Sequence, residues 1–118
     1  MNILVVDDDV ELCALLSRYL EKNGMRVFSA ADALQAQDVL EREKVNLVIA
    51  DYRMPHMNGI QLTQMLKSDP RHAAIPVILM SADMTDAISE EALRKGVAMV
   101  LQKPLSFDSL LTLVRFAQ

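Results

Sequence analysis

Tryptophan is absent, and only two Tyr and three Phe occur in 118 residues. With aromatics at 4% and hydrophobic residues at 52%, any core must be aliphatic, built from Leu, Val, Ile, Ala and eight Met. The single cysteine, Cys13, excludes an intrachain disulfide and fits a reducing compartment. Flanked by Leu12 and Leu15, it reads as a buried, inert thiol on a helix. There is no basic excess either. A formal net charge of -4 and a pI near 5.0, with Lys and Arg scattered, exclude counterion-driven nucleic-acid binding, so a DNA contact would need another domain. No apolar stretch approaches the roughly 20 residues that span a membrane. The apolar start, Ile3 to Val6, runs straight into three aspartates and is no signal peptide. These absences predict a cytoplasmic protein with no membrane partner, and the length predicts one domain, residues 1–118, with its own core.

What is present is a short apolar run followed by a longer segment of helical period, about five times over. Ile3 to Val6, Val45 to Ala50, Val77 to Met80 and Ala98 to Leu101 have the near-continuous apolarity of strands covered on both faces. Met25 to Ser29 alternates weakly and reads as an edge strand. Leu12, Leu15, Leu16, Tyr19 and Leu20 mark a first helix that Asn23-Gly24 stops. Ala33, Ala36 and Leu40 mark a second, Leu62, Met65 and Leu66 a third closed by Asp69-Pro70, and Phe107, Leu110, Leu111 and Val114 a last one behind a Ser106 cap. Met84 to Lys95 has only a partial apolar face and is expected to be the loosest helix. Strand then helix, repeated, predicts βαβ units: an α/β fold with a doubly wound parallel sheet and helices on both faces.

Ligands of open α/β sheets bind outside the carboxyl ends of the strands. The polar residues at those ends are Asp7, Asp8 and Asp9, then Asp51, Ser81 and Lys103. Two carboxylates about 4 Å apart repel by roughly 4 kcal/mol at an effective dielectric near 20, so such a cluster calls for a cation. Mg²⁺, with Mn²⁺ as a substitute, takes oxygen ligands of this kind together with water and phosphate. Lys103 and Ser81 then offer a charge and a donor to phosphoryl oxygens, the parts of a phosphoryl-transfer site. Each residue also has a plainer reading. Asp8 with Glu11 resembles a helix-capping pair, Ser81 could start a helix, and Lys103 could be a solvated surface charge. His56 and His72 read as surface loop residues. Co-occurrence at one sheet edge carries the case.

The motifs ILVVDDD, LVIADYRMPHMNG, PVILMSA and VLQKP, in this order and spacing from Asn2 to about Phe116, resemble the receiver domains of bacterial response regulators. That resemblance implies a five-stranded, flavodoxin-like (βα)5 sheet of order 2-1-3-4-5. It implies Asp51 as phosphoacceptor and metal ligand, Asp8 as direct Mg²⁺ ligand, Asp7 acting through water, and the Arg53 backbone carbonyl as a third protein ligand. Asp9 becomes a helix cap. Ser81 and Lys103 contact the phosphoryl group, and the Lys103-Pro104 peptide is cis. It further implies a sensor histidine kinase or phosphotransfer protein as donor, a downstream effector domain or protein as target, and a homodimer surface on the fourth helix, fifth strand and fifth helix. Such a domain is regulatory and not an enzyme, beyond promoting its own phosphorylation and slow dephosphorylation.

The family's usual aromatic three positions before the lysine is Val100 here, and valine cannot make the inward rotamer swing. Arg53 and Asp83 flank the pocket with opposite charges expected to pair and screen attacking water. A haloacid-dehalogenase-type phosphatase would place its nucleophile in a DxDx(T/V) motif on the first strand. A flavin binder of this fold would need a phosphate-cradling loop where Asp7, Asp8 and Asp9 repel phosphate. The remaining rival is a docking or dimerisation module of the same fold that takes no phosphate.

Overall fold

A computed structural model describes residues 1–117. The elements run β1 (Asn2–Val6), α1 (Val10–Lys22), β2 (Arg26–Ala30), α2 (Ala33–Arg42), β3 (Leu47–Asp51), α3 (Gly59–Lys67), β4 (Val77–Ser81), α4 (Asp86–Arg94), β5 (Met99–Gln102) and α5 (Phe107–Phe116). All four strand pairings are parallel, and the order is β2-β1-β3-β4-β5, as expected. Because β1 is flanked by β2 on one side and β3 on the other, the winding direction reverses at β1. The strands' carboxyl ends open into a crevice there.

Side chains alternate across each strand, so one strand feeds two cores. Ile3, Val5, Ile49 and Met80 point to the face covered by Cys13, Leu16 and Leu20 of α1 and Leu110, Leu111 and Val114 of α5. Leu4, Val6, Val48 and Ala50 point to the face covered by Ala36, Val39 and Leu40 of α2 and Leu62 and Leu66 of α3. Each Val, Leu, Ile and Met among them contributes about 1.5–3 kcal/mol on full burial. The satellite cluster under α4 is thinner: Ile60, Leu79, Ala92 and Val97, with Tyr52, Met84, Ile88 and Val100 at its margin. Ala92 is the one buried residue of α4, in line with the loose helix read from its pattern. Among the described residues no helix is long and apolar enough to cross a membrane.

Several expectations need correction. β5 is not covered on both faces, because it forms the sheet edge beyond β4, and its residues are exposed or half-buried. It begins at Met99, with Ala98 outside it. Leu15 lies on the solvent side of α1, and Cys13 takes its place in the buried stripe. Asp9 caps α1 as the resemblance implied, its carboxylate accepting from the Leu12 N–H at 3.0 Å, and the capping reading of Asp8 is the one that fails. The Asn23-Gly24 stop of α1 is as expected, with Gly24 at φ +88°. Ser106 caps α5, and Thr85, not Ser81, caps α4. His72 is not a free surface group. Its side chain is 14% exposed, and Nδ1 lies 3.5 Å from the Asp69 carboxylate.

On the α2 and α3 side, Arg71 donates to Glu41 at 2.8 and 2.9 Å and to Asp69 at 2.8 Å, tying the last turn of α2 to the loop after α3. Arg71 donating to its carboxylate, from side chain and backbone, holds Asp69 well below the usual range, at about 2. A depressed acid favours the folded state above its unfolded pKa, and that contribution disappears as pH falls through the folded value. Carboxyl NMR should therefore show an Asp69 midpoint near pH 2 that returns toward the ordinary 3.8 in Arg71→Ala. The stabilisation should weaken between those two pH values, and added salt should shrink it because the groups are exposed.

Candidate functional site

The ends of β1, β3 and β4 bury polar residues where the strand pattern would otherwise continue. Asp7 and Ser81 are 1% exposed and Asp51 is 7% exposed. β1 hands its chain on through the Asp7 N–H, which donates to Ala30 O at 3.0 Å. From β5, the Lys103 N–H donates to Ser81 O at 2.9 Å, and the Lys103-Pro104 peptide is cis, as expected. The hydrogen bond to Ser81 O holds Lys103 over the crevice. Its Nζ lies 2.7 Å from Asp7 Oδ2 and 3.3 Å from Asp51 Oδ1. Lys103 is thus a fixed charge at the sheet edge and not a solvated one. One carboxylate oxygen each from Asp7, Asp8 and Asp51 lies within 4.8 Å of the others.

Three carboxylates against one ammonium leave an excess negative charge in a half-dry pocket. Burial, followed by the Asp7 charge, pushes the Asp51 carboxyl up from its ordinary value, and Lys103 offsets only part of this. For Lys103 burial is the largest single influence and lowers its pKa, but hydrogen bonds and charges from Asp7 and Asp51 outweigh it and leave the ammonium favoured. A hard divalent cation matches this donor set in charge and in oxygen chemistry. Beneath the pocket Cys13 donates its S–H to Asp7 O at 3.3 Å, and burial ahead of the Asp7 and Asp9 charges pushes the thiol up to about 11. It is inert, as its sequence setting suggested.

Asp7 and Asp8 differ in what they already hold. Asp7 Oδ1 accepts from the Asp9 N–H at 2.9 Å and Oδ2 accepts from Lys103, whereas Asp8 is exposed and its carboxylate accepts no hydrogen bond from any described residue. The Ser81 hydroxyl accepts from the Asp83 N–H at 3.2 Å, which leaves its own proton available. Arg53 follows β3 in the loop to α3. Its Nε lies 3.3 Å from Asp83 Oδ2, so the opposite charges expected to pair do so. Both side chains are about two-thirds exposed, at 67% and 68%, and the pair contributes little to stability. His56 is exposed in the same loop, with φ 69°, and stands apart from the acid cluster.

Gly59 opens α3 and has a second task besides. A Cβ there would sit 2.4 Å from Leu79 Cδ1 and 2.6 Å from the carbonyl oxygen of Asp51, so α3 starts in direct contact with the peptide that carries Asp51. The Gly59 N–H donates to Tyr52 O at 2.9 Å and closes the loop. The asparagine before it supplies a capping box with Gln61. No local signal distinguishes this glycine from one needed for a turn, because the clash is with strands distant in sequence.

A doubly wound parallel sheet whose carboxyl edge gathers three carboxylates, a buried serine and a bridging lysine defines a flavodoxin-like α/β domain. The chain belongs to the response regulator receiver domain family, whose family model matches residues 3–115. It is 40% identical over 110 residues to the transcriptional regulatory protein ZraR of Klebsiella oxytoca, covering 93% of this chain and 24% of that protein. The chain therefore spans about a quarter of the length of that relative. Among solved structures, a response regulator receiver protein from Pseudomonas putida superposes with a TM-score of 0.92 at 31% identity, covering 98% of this chain and 95% of the other. The chemotaxis protein CheY4 of Vibrio cholerae matches with a TM-score of 0.93 at 22% identity, covering 99% and 98%, a likeness of fold. The family is a regulatory one, of two-component systems.

Two stability outcomes follow. Gly59→Ala should cost about 1–3 kcal/mol, read as a lowered denaturation midpoint, because backbone stands in the way of the new methyl group. Asp51→Asn should raise the thermal midpoint in metal-free buffer. The sign follows from the raised acid: its ionised form opposes folding above the folded pKa, and asparagine removes that charge.

Proposed function

We propose that Asp51 accepts a phosphoryl group from a phosphohistidine on a sensor histidine kinase or phosphotransfer protein, or from a small acyl phosphate, and that the change is passed to a downstream effector. The observation that carries this reading is the Lys103 ammonium held between Asp7 and Asp51 at the edge where three carboxylates converge. An Asp51 oxygen attacks phosphorus, the bond to the donor's nitrogen or oxygen breaks, and the donor leaves with the electron pair. Lys103 turns from Asp51 toward the incoming oxygens, and Ser81 donates its free proton to another.

Asp8 and Asp51 would hold Mg²⁺, or Mn²⁺, directly with the Arg53 carbonyl. Asp7, whose two oxygens already accept from Asp9 and Lys103, would act through water. The ion supplies neutralisation of the phosphoryl oxygens as a Lewis acid. Once attached, the group adds about -1.5 to -2 charge. Drawing Ser81 toward it pulls on the Asp83 N–H that the hydroxyl now accepts, and through Asp83 on the Arg53 pair and the first turn of α4. Val100 lies in the cluster under α4 beside Tyr52, Met84 and Ile88, so movement of this loop and helix stands in for an aromatic swing. The exposed Leu93 and Met99 lie on α4 and β5, the faces that a homodimer would use together with α5.

Incubation with Mg²⁺ and acetyl phosphate should add one phosphoryl group by intact mass, with none in Asp51→Asn and uptake slowed at least about tenfold in Lys103→Ala. An adduct that persists in Asp51→Asn sinks the assignment. Mg²⁺ should also raise the parent's thermal midpoint more than that of Asp51→Asn. Replacing Arg53 and Asp83 together by alanine should speed loss of phosphate; an unchanged lifetime means that the pair does not screen water.

A further inference from the structure

Beside Lys103 the structure opens a cavity of about 410 Å³ lined by Leu12, Ala82, Lys103, Pro104, Leu105 and Phe107. Apart from Lys103 its walls are uncharged and apolar. Phe107 is braced by the Tyr19 ring, with centroids 5.3 Å apart. Tyr19 is itself tied to the first turn of α5 by a hydrogen bond from its hydroxyl to Asp108. The cavity shares its lysine with the acid cluster, and Ala82 and Pro104 directly follow Ser81 and Lys103, the two side chains to which the proposed function assigns the phosphoryl oxygens. Asp8 in the acid cluster and the Arg53–Asp83 pair, joined to Ser81 through the Asp83 N–H, are exposed and favour water over hydrocarbon.

We propose that this cavity is an acyl subsite, and that the small phosphodonors of this domain are acyl phosphates whose acyl chain is longer than acetyl. The proposal rests on the phosphoacceptor reading of Asp51. A donor whose phosphorus is held between Asp51, Ser81 and Lys103 has its remaining substituent at the rim, and on the Lys103 side, toward Leu12, Leu105 and Phe107, that substituent meets apolar surface. The volume is at the lower end of ordinary ligand pockets, about 300–1,000 Å³, and is more than an acetyl group fills. In the transfer an Asp51 oxygen forms a bond to phosphorus and the phosphorus–oxygen bond of the mixed anhydride breaks. The carboxylate leaves with the electron pair, with no proton taken up and no change of oxidation state.

The experiment compares initial phosphorylation rates with acetyl phosphate and butyryl phosphate at equal Mg²⁺, read by intact mass, in the parent, Leu12→Ser and Leu105→Ser. The two leaving carboxylates are of nearly equal basicity, so intrinsic reactivity does not separate the donors. Each methylene moved from water into an apolar wall contributes roughly threefold to fourfold, so the parent should favour butyryl phosphate by about tenfold. Both variants should bring the ratio below about threefold. Leu12 lies outside the core clusters, so that variant is the one expected to stay folded, with its circular dichroism as the check. Equal rates in the parent overturn the proposal and leave the cavity to a side chain of a protein donor. A tenfold preference that survives in both variants also overturns it. If neither donor phosphorylates Asp51 at all, the phosphoacceptor reading itself fails, and the subsite with it.

Discussion

The Lys103 ammonium is the one positive charge placed among the clustered carboxylates, and the surrounding geometry is arranged to keep it there. A backbone bond to Ser81 fixes the start of its loop, and the 2.7 Å contact with Asp7 fixes the end of its side chain. Without it, Asp7 would be a buried carboxylate whose second oxygen lacks a partner, and Asp51 would face two acids in a half-dry pocket. Repulsion of about 4 kcal/mol per close pair at an effective dielectric near 20 is comparable to much of a small domain's stability. The pocket is consequently held in tension, with too much negative charge for one lysine and a deficit that a divalent cation matches.

That tension is tolerable because the scaffold beneath it is rigid. β1, β3 and β4 are buried on both faces, and their alternating side chains lock two helical layers to one sheet. The acids stand at the ends of these strands, so they cannot retreat from each other without unpacking the cores. Gly59 adds to this constraint by letting α3 press against the Asp51 peptide. Only on the α4 side is the packing thin, with Ala92 as the helix's one buried residue. The rigid part of the fold carries the charge cluster, and the thin part borders Ser81 and Asp83 where a change of charge would be felt.

Much of this was legible in the chain. Period and polarity marked the strands and helices, because burial on one or two faces imposes its repeat on the sequence wherever it occurs. The errors share a cause. The Ala98 to Leu101 run is as apolar as that of β4, yet β5 lies at an edge, since position in a sheet is decided by strand order and not by composition. Leu15 fits the helical stripe as well as Cys13 does, and the angle at which α1 meets the sheet chose between them. Asp8 matched a capping pattern with Glu11, but the tight bond from the Asp9 N–H to Asp7 moves the start of α1 along by one residue.

By itself, the sequence determined an aliphatic α/β chain with acids after the first and third strands and a lysine after the fifth, and its ordered motifs marked the family. These properties are local or periodic, so a linear reading recovers them. Tertiary structure decided how those residues meet: that Lys103 bridges Asp7 and Asp51, that Asp8 keeps its carboxylate free, that Gly59 abuts the Asp51 peptide, and that an apolar cavity opens beside the lysine. The lysine bridge and the cavity join positions tens of residues apart across strands and helices. Distances of a few ångströms between such positions depend on register, crossing angle and packing, quantities that no local pattern encodes.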